Sequence, residues 1–422
     1  LPDERNTWKQ SLEYLERGTR FYIDKVGPYP YSKVAVVQGP LLAGGGMEYP
    51  MITIISEGSG GKSLDQVITH EIGHNWFYGI LAFNEREYPW MDEGINSYYD
   101  HRYSKHNYPP KESKFWAPRV IRTALDSKLE HIYHEFAHSK ALAQPSDLHS
   151  NEFTLTNYFL GAYENPARAF TYLEKYLGTA LFDSVMQSFY KKWALKHPGP
   201  NDLISHFERE TGKDLSWFFE GMIGDTRSFD YGIKSVSQKG DSLLLEIENH
   251  TNYPIPFTLT SISNDTMQST QFIEGFVGIK TLKISGDGVQ VFSVDEFSLY
   301  PDVNRNNNRI RTRGVFKKTA PIRFGIMDII EKPEITQIGW LPSFGWNKSD
   351  GWMIGLMLFN HSLPNKSFQY MIHPGNVFSA SILNKPYVGQ ARFSYDWYKN
   401  RTVRNIRASL GLRSFHLEYQ PE

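Results

Sequence analysis

The spacing of apolar positions changes character along the chain, and each change predicts a different kind of structure. Val34-Ala35-Val36-Val37 and Met51 to Ile55 are short apolar runs of strand type. Leu64 to Tyr78, Glu93 to Lys105 and Phe115 to Leu129 carry their apolar residues at helical intervals. From Tyr158 to about Gly221 the pattern is nearly all helical, in Pro166 to Leu177, Leu181 to Leu195 and Pro200 to Thr211. Past Asp230 the period changes again. Ser242 to Ile247, Phe257 to Thr260, Ile279 to Ile284 and Val289 to Phe292 read as strands separated by Asn, Gly and Asp turns, which together predict a small β-sandwich.

The tail is different once more. Phe368 to Ile372, Gln390 to Trp397 and Arg404 to Leu412 alternate polar with apolar or aromatic residues. Strands of about ten residues with one apolar, aromatic face are what the wall of an outer-membrane barrel looks like in sequence, though there are too few of them here to close one. A soluble β-meander packed on the sandwich reads equally well. The predicted organisation is therefore residues 1–230, mixed α/β and then helical; 231–304, the sandwich; 305–320, a linker; and 321–422, a β-rich segment, in part barrel-like. The Asn- and Arg-rich stretch Arg305 to Arg313 could serve as a basic patch, but a solvated linker is the simpler reading.

The chemistry concentrates in His70-Glu71-Ile72-Gly73-His74. Residues four apart share a helix face, so both imidazoles can address one ion, while Glu71 sits one step round, where a carboxylate can hold a water beside that ion as general base. Val67, Ile68, Ile72, Trp76 and Phe77 make this a buried helix rather than a solvated one. Glu93, with eighteen residues between it and His74, leaves room for a turn and a second helix that returns a third ligand. Two His and one Glu leave a coordination position open, as in a catalytic zinc site.

These residues resemble the aminopeptidase N family of zinc metallopeptidases, the gluzincins. The match is the H-E-x-x-H motif with its downstream Glu, the aromatic Asn75 to Gly79, and Trp90-Met91-Asp92-Glu93-Gly94, where the family has Asn in place of Asp92. Gly45-Gly46-Met47-Glu48-Tyr49 resembles the family's exopeptidase signature G-A-M-E-N, with Gly46 for Ala and Tyr49 for Asn. Tyr158-Phe159-Leu160-Gly161-Ala162 resembles Y-E-K-G-A without its two charges, and Gly212 to Phe219 resembles the close of many of the family's catalytic domains.

The resemblance covers about residues 1–230. It implies an α+β multidomain chain whose first part is a thermolysin-like catalytic domain with a helical half. It also implies one Zn2+ per chain on His70, His74 and Glu93, Glu71 as base, and Tyr158 as donor to the oxyanion, with Tyr163 as fallback. Glu48, beside Gly45 and Gly46, would bind the free α-amino group of a peptide. The implied function is a bacterial zinc aminopeptidase acting on peptides with free N-termini. An epoxide hydrolase, as in the related leukotriene hydrolase, is a minor alternative; a peptidase-like scaffold in an outer-membrane assembly is the rival reading. Relatives carry a β-sandwich before the catalytic domain, so a chain shortened at its N-terminus is expected.

Composition narrows this further. A formal charge of −1 gives no basic surplus for nucleic acid. With no Cys there is neither a disulfide framework nor thiolate chemistry. No apolar run reaches 18 residues, so no transmembrane helix is expected, and no signal peptide is seen at Leu1 to Arg5. A periplasmic or cell-surface location, with outer-membrane association through the tail, follows from the barrel-like strands and family habit.

Overall fold

The computed structural model describes residues 6–42, 44–109, 142–226, 229–264, 266–285, 288–297, 302, 304–326, 335–362, 366–378, 387–399 and 403–415. The predicted helix Phe115 to Leu129 lies outside them.

Helix α1 (Ser11–Lys25) opens the described chain, burying Tyr14, Leu15, Gly18 and Tyr22, a three-to-four spacing legible in the sequence but not read from it above. A small sheet follows, in the order β1 (Ala35–Gln38), β3 (Ile52–Ile55), β2 (Gly46–Met47), with β2 antiparallel to β3. Helix α2 (Gly61–His74) buries Leu64, Ile68 and Ile72, then widens into a π-helical turn, Asn75–Ile80. A second such turn, Trp90–Gly94, leads into α3 (Ile95–Asn107). The helix predicted to begin at Glu93 and the one predicted to run through Tyr78 thus each include a turn with one extra residue, a device common at functional sites because it re-aims side chains.

Gly73 is where α1, α2 and α3 meet. A Cβ there would fall 1.9 Å from Asn96 Oδ1 and 2.3 Å from the Tyr22 hydroxyl, so only hydrogen fits. Tyr22 donates to Asn96 Oδ1 (2.6 Å), and Asn96 Nδ2 donates to the carbonyl of His70 (2.7 Å), which ties all three helices beside the motif. Helices α4 (Asn165–Leu177), α5 (Thr179–Trp193) and α6 (Pro200–Thr211) complete this half around Phe170, Phe182, Phe189 and Phe207. Pro200 starts α6 with its φ already set, and Gly212, left-handed at φ 65°, ends it.

Two sheets come next. One pairs β4 (Tyr231–Lys239), β5 (Ser242–Asn249) and β8 (Gly278–Ser285). The other runs β10 (Arg309–Arg311), β9 (Val291–Val294), β6 (Phe257–Ser263), β7 (Thr266–Ile273). Their apolar residues share one core, with the Tyr231 and Phe257 rings stacked 4.3 Å apart. Part of the stretch predicted as linker is strand instead: Arg309–Arg311 pairs antiparallel with β9 because Ile310, flanked by two arginines, is buried at 3% exposure.

A last sheet holds β11 (Ile322–Ile326), β12 (Thr336–Asn347), β13 (Gly351–Phe359), β14 (Phe368–Val377), β15 (Tyr387–Lys399) and β16 (Val403–Ser414) in sequence order. It is antiparallel from β12 to β16 and open, with no closed barrel among the described residues. No helix among them is long and apolar enough to cross a membrane.

Candidate metal centre and surrounding pocket

Helix α2 presents His70 and His74 on one face, and the turn before α3 brings Glu93 against them. His70 Nε2 lies 3.2 Å from His74 Nε2, and Glu93 Oε2 lies 3.3 Å from each. Three donors of a tetrahedral zinc ion, at bond lengths of about 2.0–2.1 Å, stand about 3.3–3.4 Å apart, so this near-equilateral triangle has the right size to hold one. Glu93 Oε2 is buried without a hydrogen bond, as a ligand atom reserved for a metal would be. The donor set, two imidazoles and a carboxylate with a further side left free, suits zinc.

The other nitrogen of each ring is taken. His70 Nδ1 pairs with Asp100 Oδ2, and His74 Nδ1 with Asp92 Oδ1, both at 2.6 Å. Each carboxylate draws the ring proton to Nδ1 and so leaves the Nε2 lone pair facing the centre of the triangle. Burial alone would pull both imidazoles down, yet Asp100 beside His70, and Asp92 with Glu93 beside His74, push them well above the ordinary value. Burial likewise works to raise Glu93, but the two imidazoles hold it far below the usual carboxylate range. The pocket carries more negative charge than its histidines balance, and a divalent cation would neutralise that excess.

Glu71 is buried in the same pocket. Its carboxyl is pushed up to about 7, chiefly by burial, with the imidazoles pulling it down and Glu48 and Glu93 pushing it further up. Gly44 and Gly45, at φ 73° and 69°, lead the chain past it. A Cβ on Gly46 would sit 2.3 Å from the Glu71 carboxyl carbon, so glycine at the place of the family's Ala lets strand β2 lie directly on the base. Glu48 follows β2 and lines the same cavity, of about 780 Å³, together with His70, His74, Glu93 and Tyr163.

The two tyrosines are placed differently. Tyr163 donates to Glu93 Oε1 (2.6 Å) and its ring lies 6.2 Å from that of His70. Tyr158 is half-buried one ring further out, 6.0 Å from Tyr163, between it and Phe153. Burial raises its phenol, and Glu93 adds to the rise, so it stands within the field of the cluster.

The structure thus gathers His70, His74, Glu93, Glu71, Glu48, Gly45 and Gly46 around one cavity, with the Tyr158 ring against Tyr163, which lines it. The sequence reading missed Asp92 and Asp100 as partners of the histidines. Asp100 stands seven residues after Glu93, two helical turns on, so the signal was present. Asp92 was noticed only as a substitution.

Two histidines four apart on one helix, a carboxylate from the turn before the next, and a buried glutamate at their side form a group that could hold a metal ion with one side left open. Residues 10–222, half of the chain, match the model of the peptidase family M1 domain, and the chain belongs to that family. It is 25% identical over 279 residues to aminopeptidase M1-C of Oryza sativa subsp. japonica, an alignment covering 61% of this chain and 30% of that one. To the probable aminopeptidase 1 of Sulfurisphaera tokodaii it is 23% identical over 251 residues, or 55% of this chain and 30% of the relative. The fold is similar to that of Legionella pneumophila aminopeptidase A, solved in complex with aspartic acid, with a TM-score of 0.58 at 14% identity over 71% of this chain and 35% of that one. The chain spans about 30% of the length of these two relatives.

Proposed function

We propose that this chain is the catalytic part of a zinc-dependent aminopeptidase that removes N-terminal residues from peptides. The supporting observation is that one cavity holds the ligand triangle, the buried Glu71 and the carboxylate of Glu48. Zinc on His70, His74 and Glu93 would polarise the scissile carbonyl and acidify a water in the open position, in a thermolysin-like arrangement. Glu71, held near neutrality by burial, takes the proton of the attacking water and returns it to the leaving amine. Asp100 and Asp92 keep the imidazoles in the tautomer that directs Nε2 inward.

Glu48 receives the substrate's ammonium group, which sets the first peptide bond over the centre and makes the enzyme an exopeptidase. Tyr158 donates to the developing oxyanion, and Tyr163 braces Glu93. Among the described lining residues there is no Lys or Arg, while Glu48, Glu71, Glu93, Asp100 and Glu164 supply five carboxylates. A first residue with an acidic side chain is therefore disfavoured.

The test is a panel of aminoacyl fluorogenic amides, free and N-acetylated, with metal content measured on the same sample. Cleavage of the free amides alone, lost on chelation and restored by zinc, is expected, with Leu and Arg amides cleaved faster than Asp or Glu. Equal cleavage of free and acetylated amides overturns the exopeptidase assignment. Stoichiometric zinc without turnover overturns the activity of this chain.

A further inference from the structure

The last sheet is built inside out for a protein in water. In β12 to β16 alternate residues fall on two faces, and the strand register lines up the members of each face. One face is apolar and open. Across its central rows lie Leu356, Ile372 and Leu412, at 39%, 36% and 56% exposure, where a soluble sheet would show polar groups. Toward one end stand Trp346, Trp352 and Tyr387, and toward the other Phe368, Tyr395 and Trp397, each at least 41% exposed. Among the described residues of those central rows Trp340 is the only aromatic side chain.

The other face carries the charge. Asp396 is buried there at 1% exposure and receives both Nε and Nη2 of Arg407 at 2.6 Å, and Gln337, Gln369 and Ser394 are buried on the same side. From Ile338 to Leu412 the described side chains of the apolar face include no Asp, Glu, Lys or Arg.

We propose that β12–β16 form a wall whose apolar face contacts the acyl chains of a lipid bilayer. Three features select lipid over a second protein surface. Among the described side chains the face is without charge, complementing a hydrocarbon interior, while every charged side chain described in these strands is turned to the other side. Its exposed aromatic rings lie toward the two rims, with Leu356, Ile372 and Leu412 between them, as at the two interfaces of a membrane; a protein interface gathers its aromatics at the centre. Its height fits. The ten residue steps from Tyr387 to Trp397, at about 3.3 Å each and tilted by about 40°, rise about 25 Å, the thickness of the apolar band of a transmembrane barrel. Unpaired backbone is not tolerated in hydrocarbon, so at the bilayer the open edges of β11 and β16 would each need a partner. This inference is independent of the peptidase chemistry.

The experiment reconstitutes the full chain with vesicles of phosphatidylethanolamine and phosphatidylglycerol, isolates them by flotation, and follows tryptophan emission with lipids brominated near the head group or near the chain end. Co-flotation is expected, with stronger quenching by bromine near the head group. Exchanging Trp352 and Trp397 together for Phe should lower the quenched fraction, while Trp76→Phe, in the helical core, should not. Leu356→Arg should reduce the vesicle-bound fraction at least about tenfold, with Gln390→Arg on the opposite face leaving it unchanged. Resistance of the helical half to proteolysis controls for folding, and the Trp→Phe measurement stands even where Leu356→Arg does not fold. Emission unmoved by either lipid overturns the proposal. So does a lipid-free dimer that Leu356→Arg dissociates, since a second copy would then own the face.

Discussion

In the helical half, the side chains fully removed from solvent include Ile68, Ile72, Trp76 and Phe170, and the charged groups held inside include Glu71 and His74 of the pocket and Asp65, which is paired with Arg17. In strands β12–β16 Gln369 and Asp396 are buried, while Trp352, Leu410 and Leu412 stand at 68%, 59% and 56% exposure. The same hydrophobic effect acts on both regions. What differs is the partner each face meets, so an apolar period by itself says where a strand or helix has two faces and not which face is inside. Buried charge differs in purpose too. Glu71, the proposed base, is held without a countercharge of its own, whereas Asp396 is matched by a bidentate arginine.

That contrast can be broken at four points. The largest effect is expected from Glu71→Gln, which should slow amide hydrolysis by about 10³-fold or more while zinc content and melting temperature hold or rise, because a costly buried carboxylate is gone. Near-normal turnover would falsify the assignment of the base. Truncation of apolar side chains should separate the regions next. Ile72→Ala, at 0% exposure, should cost about 3 kcal/mol in denaturant unfolding; Leu410→Ala, at 59%, less than about 0.5 kcal/mol in lipid-free solution. Comparable losses at the two sites would mean that the sheet's apolar face is covered by protein.

Arg407→Ala tests the structural ion pair. It takes the arginine from the buried Asp396 carboxylate and should destabilise the sheet by about 3 kcal/mol, the lower end for such pairs because the Arg407 side chain is 44% exposed, with hydrolysis rates untouched. A drop in rate without a drop in stability would contradict the division of roles.

The last test concerns Asp302, between the regions. Burial, with Asp230 adding to it, pushes this carboxyl up to about 7 against hydrogen bonds from the Asn304 amide and Asn308 Nδ2. A raised folded-state value means that the native state binds the proton more tightly. Its contribution to stability is complete below about pH 4, the value of an unfolded aspartate, and is lost as pH rises through 7. Unfolding measured between pH 4 and 8 should show a loss of up to about 4 kcal/mol that Asp302→Asn removes. A profile identical in the variant would place the charge elsewhere.

Much of the centre was legible in the chain itself. His70, Glu71 and His74 follow from helical spacing, because i and i+4 share a face whatever surrounds the helix, and Glu93 from the resemblance and a separation long enough for a second helix to return. The regions of helix and strand were legible for the same reason: period reports local geometry. Arg309–Arg311 was not, since three residues carry no period and only pairing with β9 makes them a strand.

Tertiary structure alone decided the rest. It seated Asp92 and Asp100 on the two imidazoles, brought Gly46 against Glu71, and set Tyr163 rather than Tyr158 on Glu93. It also determined which face of the last sheet turned outward. Each of these depends on the approach of segments distant in the chain, and such contacts are fixed by packing, which no local spacing encodes.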